Sequence, residues 1–238
     1  MRLALATAFI LLPFQALTGC ARHAVERVHA GSPLLDGSRI AARTDTFSMA
    51  NGAQPAGMMV MRTAALGDTA LLRVERVTAP GGQLTDVDSF AVRTRTIEPL
   101  FSVAGVTRGH TLRFHPGRVT GTADGTPVDV RLEAPAFYAN STDLLLAALP
   151  LAEGRRFTVS LWNPFRGAHG MEVRVGRAEP VTTVEGGTCE AWRVETEGPG
   201  GAAVYWVERR TRSLVAYAMG EFQIRILRHP ECAPRRAP

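Results

Sequence analysis

Asp86 and Asp88 stand two residues apart in a stretch of alternating polarity, so both carboxylates fall on one face of a strand. Such a pair can share a cation or divide general acid and base roles, although acids at strand ends are most often simply solvated. The histidines offer less. His110 and His115 are separated by five positions, an odd spacing that sends them to opposite faces of a continuous strand, and all six histidines read as surface residues. No Cys-x-x-Cys or His-Glu-x-x-His phrase supports a metal site, no Gly-x-Ser-x-Gly supports a hydrolase, and no glycine-rich phosphate loop occurs.

Cysteine chemistry is better placed. Met1-Arg2, an apolar run from Leu3 to Phe14 and then Leu17-Thr18-Gly19-Cys20 read as a secretory signal, with an apolar core too short to span a bilayer. The last four residues resemble the bacterial lipobox. Residues 1–19 are therefore read as a signal peptide and Cys20 as the new amino terminus, carrying a diacylglycerol thioether and an N-acyl chain. Ala21, where an aspartate would imply retention in the inner membrane, implies the outer membrane with the domain facing the periplasm. With Cys20 lipidated, Cys189 and Cys232 form an even pair in an oxidising compartment and are expected to be disulfide-bonded, two separate buried thiols being the alternative. Closing a loop of about forty residues would stabilise the fold by roughly 3 to 4 kcal/mol.

Removing residues 1–19 leaves 219 of 238, enough for one domain with a substantial core. All 27 basic residues are arginine, and the net charge is +5. The arginines alternate with acids in stretches such as Leu72-Arg73-Val74-Glu75-Arg76, scattered charge of the kind found on a solvated sheet face. In an envelope compartment they favour anionic lipid head groups, and no nucleic acid is expected there. Residues 20–37 show no sustained period and read as a tether, with a reach of roughly 20 to 25 Å if flexible. Residues 38–232 read as a single antiparallel β domain and 233–238 as a tail.

Period-two alternation dominates that domain. Phe90, Val92, Thr94 and Thr96 share one face. Val128, Val130 and Leu132 do likewise, as do Phe157, Val159 and Leu161, and then Phe222, Ile224 and Ile226. Turn formers such as Asn51-Gly52, Pro80-Gly81-Gly82, Asp124-Gly125 and Gly198-Pro199-Gly200-Gly201 separate these runs. The spacing predicts an all-β fold: a long antiparallel meander of about a dozen strands, curled into a half-barrel or barrel. One stretch departs from it. Ser141-Thr142-Asp143 followed by Leu144 to Leu149 and Pro150 predicts a single short helix at about 141–149, capped by Ser141 and stopped by the proline.

Three phrases carry a family resemblance: Thr94-Arg95-Thr96-Ile97-Glu98-Pro99, the helix running into Leu149-Pro150-Leu151-Ala152-Glu153-Gly154, and the paired strands Glu172–Gly176 and Ala191–Glu195. Over roughly residues 40 to 228 the chain resembles a family of bacterial envelope proteins of unknown function. Its members look like a curled antiparallel half-barrel, similar to the lipoprotein-localisation factors that carry acyl chains through the periplasm. The resemblance brings no catalytic set. It implies a non-enzymatic lipoprotein, without metal or cofactor beyond the lipid on Cys20, that binds an amphiphile or acyl chain in its concave face. Met59, Met61, Leu145, Leu146, Leu149, Trp162, Trp192 and Trp206 are the candidate groove residues. The alternative is an assembly factor that docks an envelope protein through its sheet edge or helix face.

Overall fold

The computed structural model describes residues 24–106 and 109–234. Among these described residues seventeen strands form one sheet. In chain order they are β1 (Val25–Val28), β2 (Arg43–Asn51), β3 (Gln54–Leu66), β4 (Ala70–Thr78), β5 (Leu84–Arg93), β6 (Pro99–Gly105), β7 (His110–His115), β8 (Arg118–Ala123) and β9 (Thr126–Arg131). Then come β10 (Phe137–Tyr138), helix α1 (Thr142–Ala148), β11 (Arg156–Asn163), β12 (Gly167–Thr182), β13 (Gly187–Gly198), β14 (Gly201–Glu208), β15 (Leu214–Met219), β16 (Phe222–Ile226) and β17 (Ala233–Pro234).

The expected meander is two meanders. Strands β2 to β9 form one and β11 to β16 the other, and they join where β16 pairs antiparallel with β2, Ile226 opposite Phe47. The sheet stays open: β9 pairs with β8 at one edge, and β1 and β10 both lie parallel to β11 at the other. Its curl has local causes. Gly57 and Gly121 have φ of +121° and +144°, and a Cβ on either would lie 1.9 Å from the carbonyl oxygen of the neighbouring strand, Thr78 or Thr111. The alternation expected through Thr96 ends sooner, because β5 stops at Arg93 and the chain reverses through buried Ile97 at φ 53°.

Helix α1 falls within the expected span. Its cap differs, since the Ser141 hydroxyl donates back to the Tyr138 carbonyl rather than accepting from the first turn. Leu144, Leu145, Leu146 and Leu149 are all essentially enclosed, packed against Phe90, Val92, Phe157 and Val159 on the concave face. At about 1.5 to 3 kcal/mol per buried leucine, this burial is ample reason for the helix to occupy the concavity.

The tether reading of residues 24–37 is corrected. β1 adds to β11 with Val25 opposite Arg156, and Val28, Ala30 and Leu35 are buried. The Asp36 amide donates to the Ala148 carbonyl at the end of α1, strapping this segment over the helix. An edge strand 130 residues from its partner leaves no local period to read. At the other end, Ala233 and Pro234 pair with β13 instead of starting a free tail.

Candidate functional site

The open edges of the sheet meet through side chains. Trp162 of β11 packs with Leu112, Val119 and Ala136, and its ring meets Phe114 edge-on at 5.8 Å. Tyr138 of β10 stands between Phe90 and Phe114, at 5.4 and 5.8 Å. Beneath these rings lies a buried polar network drawn from both sides of the seam. Asp88 of β5 accepts from the Ser102 hydroxyl of β6 at 3.2 Å, from the Tyr138 hydroxyl at 2.9 Å and from the Asn140 amide at 2.5 Å. His110 of β7 places Nε2 2.7 Å from Ser102 Oγ and 3.0 Å from Tyr138 Oη. Both hydroxyls are placed to give their protons to Asp88, an arrangement in which the imidazole carries its own proton on Nε2.

That arrangement argues against nucleophilic chemistry. A base that activates Ser102 would have to accept its proton, and the carboxylate would have to orient the far ring nitrogen. Here the imidazole donates, and Nδ1 is buried without a partner. Burial holds the Asp88 carboxyl above its ordinary value, against the pull of its three donors, and holds the His110 imidazole below its own. The network is a latch across an open seam. Of the two aspartates paired by spacing, Asp88 is therefore buried structure and Asp86 is exposed. Among the described residues two histidines depart from the surface reading, His110, whose Nε2 alone is hydrogen-bonded, and His229, whose two ring nitrogens both have partners.

A second polar group ties α1 to the sheet. Buried Arg73 of β4 pairs with Asp143 in the first turn of the helix. Glu75, two residues along on the same face, has Oε1 enclosed and unpaired. Burial, then the Asp143 charge, pushes the Glu75 carboxyl from 4.5 to about 8, with Arg73 pulling the other way. A cavity of about 20 Å³ touches Arg73, Asp143 and Arg212, enough for a single water.

The sequence candidates divide. Leu145, Leu146, Leu149, Met61 and Trp162 are core residues. Met59 is half-buried on the concave face beside Val77, Tyr217 and Phe222. Trp192 faces the same way, partly covered by the Arg209 guanidinium 5.1 Å from its ring. Trp206 alternates to the outer face and donates to Glu179 at 2.7 Å, so the residues proposed to border one groove lie on two faces. The concave groove itself is corrected, because helix α1 fills it. Cys189 and Cys232 are bonded, with Cα atoms 4.7 Å apart. Cys20 lies outside the described residues.

Larger openings lie elsewhere. A trough of about 380 Å³ on the outer face of β12 to β15 is edged by Glu172, Glu195, Glu197 and Arg174. A cavity of about 430 Å³ sits at the capped end, where the strap crosses the end of α1. Leu34, Leu149 and Leu151 line it together with Arg39, Arg155 and Arg212. Arg155 is tied to Glu26 of β1 at 2.6 Å and Arg39 contacts Asp36 at 3.5 Å, whereas Arg212 has Nη1 buried and unpaired. Desolvation, then the Arg39 charge, draws the Arg212 guanidinium below its ordinary value. The spacing of these arginines along the chain carries no signal, since the strap, the 149–155 turn and the β14–β15 turn meet only in the fold.

Residues 46–224 match the family described as protein of unknown function (DUF3108), about three quarters of the chain. The chain belongs to the DUF3108 family. No curated protein matches it. Among solved structures it is similar to a beta-barrel-like protein of domain of unknown function DUF1849 from Brucella abortus, at 10% identity and a TM-score of 0.46 over 77% of this chain and 93% of that one.

Glu75 gives this DUF3108 domain a pH signature. The folded state holds its proton from about pH 4.5, where the unfolded carboxyl ionises, up to about pH 8. The group therefore weakens the fold progressively as pH rises through that window. Glu75→Gln should remove this dependence and raise stability at pH 8 by a few kcal/mol. Denaturant titrations of both proteins at pH 5 and pH 8 measure it, and equal slopes would show that the carboxyl is solvated.

Proposed function

We propose that this chain is a membrane-tethered, non-enzymatic protein of the bacterial envelope, anchored through Cys20 at the outer membrane, whose capped end binds the anionic head group of an amphiphile. The arginine-rimmed cavity beside α1 is the observation that carries this reading. Guanidinium groups recognise phosphate oxygens through paired donors, and Arg39, Arg155 and Arg212 all line this cavity. Exposed Leu34 adds apolar surface at the same opening. The position of the entering chain adds support. Val25 begins β1, so the link from Cys20 reaches no more than about 18 Å, and the Glu26–Arg155 contact sets that entry beside the cavity. An anchored domain would hold this end toward the bilayer, where each arginine near an anionic surface contributes about 1 kcal/mol.

The Cys20→Ser protein, purified without detergent, tests this by cosedimentation with vesicles. Binding should rise with phosphatidylglycerol content over phosphatidylcholine alone. Arg39→Gln combined with Arg212→Gln should weaken it roughly tenfold or more. Binding indifferent to lipid charge, or to both substitutions, would remove the proposal. It would favour docking of an envelope protein on the outer trough of β12 to β15.

A further inference from the structure

Cys189, Cys232 and His229 place their candidate ligand atoms within 4.8 Å of one another, and all three side chains are buried. Two sulfurs and an imidazole nitrogen on a common tetrahedral ion lie about 3.3 to 3.8 Å apart, so modest adjustment would let them share one. The histidine is held as metal-binding histidines are held. Its Nδ1 accepts from the Glu231 amide at 3.1 Å, which puts the proton on Nε2, and Nε2 faces Ser213 Oγ at 2.8 Å. A relay continues from Ser213 to Thr211 at 2.7 Å and from Thr211 to the buried Glu208 carboxylate at 2.7 Å. An outer chain ending in a carboxylate fixes the tautomer and makes Nδ1 more basic. The cluster also has access. His229 and Cys232 border a cavity of about 370 Å³ whose other walls include Thr183, Glu185 and Arg228.

We propose that, in its dithiol form, this cluster is a binding site for one soft divalent d¹⁰ cation of the zinc type. Cys189 and Cys232 supply thiolates and His229 supplies Nδ1, released from the Glu231 amide. Water or the Glu185 carboxylate, from the adjoining cavity, completes the set. The dithiol form is the state of the newly made chain, or follows exchange with a dithiol reductant. That exchange gives two electrons and two protons to the protein sulfurs and leaves the reductant as its own disulfide. Binding the cation then releases both thiol protons. Metal and disulfide are alternative occupants of one position: exchange with a small-molecule disulfide takes two electrons from the two thiolates, leaves that disulfide as two thiols after uptake of two protons, and releases the ion.

The test uses the full chain carrying Cys20→Ser, whose remaining cysteines are these two. After reduction and removal of the reductant, Cd²⁺ and Zn²⁺ are titrated separately under argon. Sulfur-to-cadmium charge-transfer absorption, bound metal by mass spectrometry and far-UV circular dichroism are recorded. One equivalent of Cd²⁺ bound through two thiolates is expected, with no binding by the oxidised protein. His229→Gln should weaken binding at least tenfold, and it leaves the disulfide free to form and hold the oxidised fold. Bound metal should also slow thiol alkylation at least tenfold. Substoichiometric binding, or affinity unchanged in His229→Gln, overturns the proposal. So does a reduced chain that unfolds and does not regain its native spectrum when metal is added.

Discussion

Arg73→Met should destabilise the domain by roughly 3 to 5 kcal/mol, the usual cost of stripping one partner from a buried ion pair. Arg73 is 5% exposed, and its guanidinium is paired with Asp143 in the first turn of α1. Without it, the Asp143 carboxylate must either protonate or remain charged in the interior. Glu75 loses the Arg73 charge that opposes its own upward shift. The consequence should concentrate on the helix, because Arg73 and Asp143 form a charged link between α1 and the sheet. Equilibrium denaturation supplies the total, and hydrogen exchange should show the α1 amides opening more often. The compensating change discriminates. Arg73→Met with Asp143→Leu removes both charges together and should recover most of the loss, since a buried pair is seldom worth more than well-packed apolar groups of similar volume. A single substitution costing under about 1 kcal/mol would mean that water replaces the guanidinium.

Asp88→Ala should cost a similar amount, roughly 3 to 5 kcal/mol, by another route. It strands the donors on buried Ser102 and Tyr138, each unsatisfied donor costing about 1 to 3 kcal/mol without full additivity, while the amide of exposed Asn140 turns to water. Asp88→Asn should cost less than half as much, because the amide oxygen still accepts while its NH₂ can turn to Ser102 Oγ. Since the network joins β5, β6 and β7 to the β10 edge, the alanine variant should open the seam. Limited proteolysis between residues 131 and 137 and exchange of the β7 to β9 amides would report it. The pH response runs opposite to that of Glu75. His110 is held neutral, with its folded pKa below the ordinary 6.5, so its contribution is complete above pH 6.5 and is lost as pH falls through the folded value. His110→Gln should flatten stability on the acid side and leave the Glu75 window in place.

Strands β11 and β16 were readable because half-buried strands impose a period of two on local sequence, and α1 was readable from its leucines and Pro150, whereas β5 buries Phe90, Ala91 and Val92 in succession and β9 is mostly exposed. Joining two meanders through β16 and β2, or laying β1 parallel to β11, leaves no such period, because partners so far apart in the chain, Ile226 with Phe47 and Val25 with Arg156, constrain each other only in space. Spacing could likewise place Asp86 and Asp88 on one face, but not decide that one would be exposed and the other enclosed by Tyr138 and Asn140, about fifty residues on. Trp206 and Met59 were grouped by type, and strand register separated them. By itself, then, the sequence determined the fold class, the helix and the pairing of two cysteines, all set by local period or by counting. The tertiary structure alone decided that α1 fills the concavity, that Arg39, Arg155 and Arg212 converge at the capped end, and that His229 meets Cys189 and Cys232. Each depends on which distant segments the curl of the sheet brings together, and no short-range pattern encodes that.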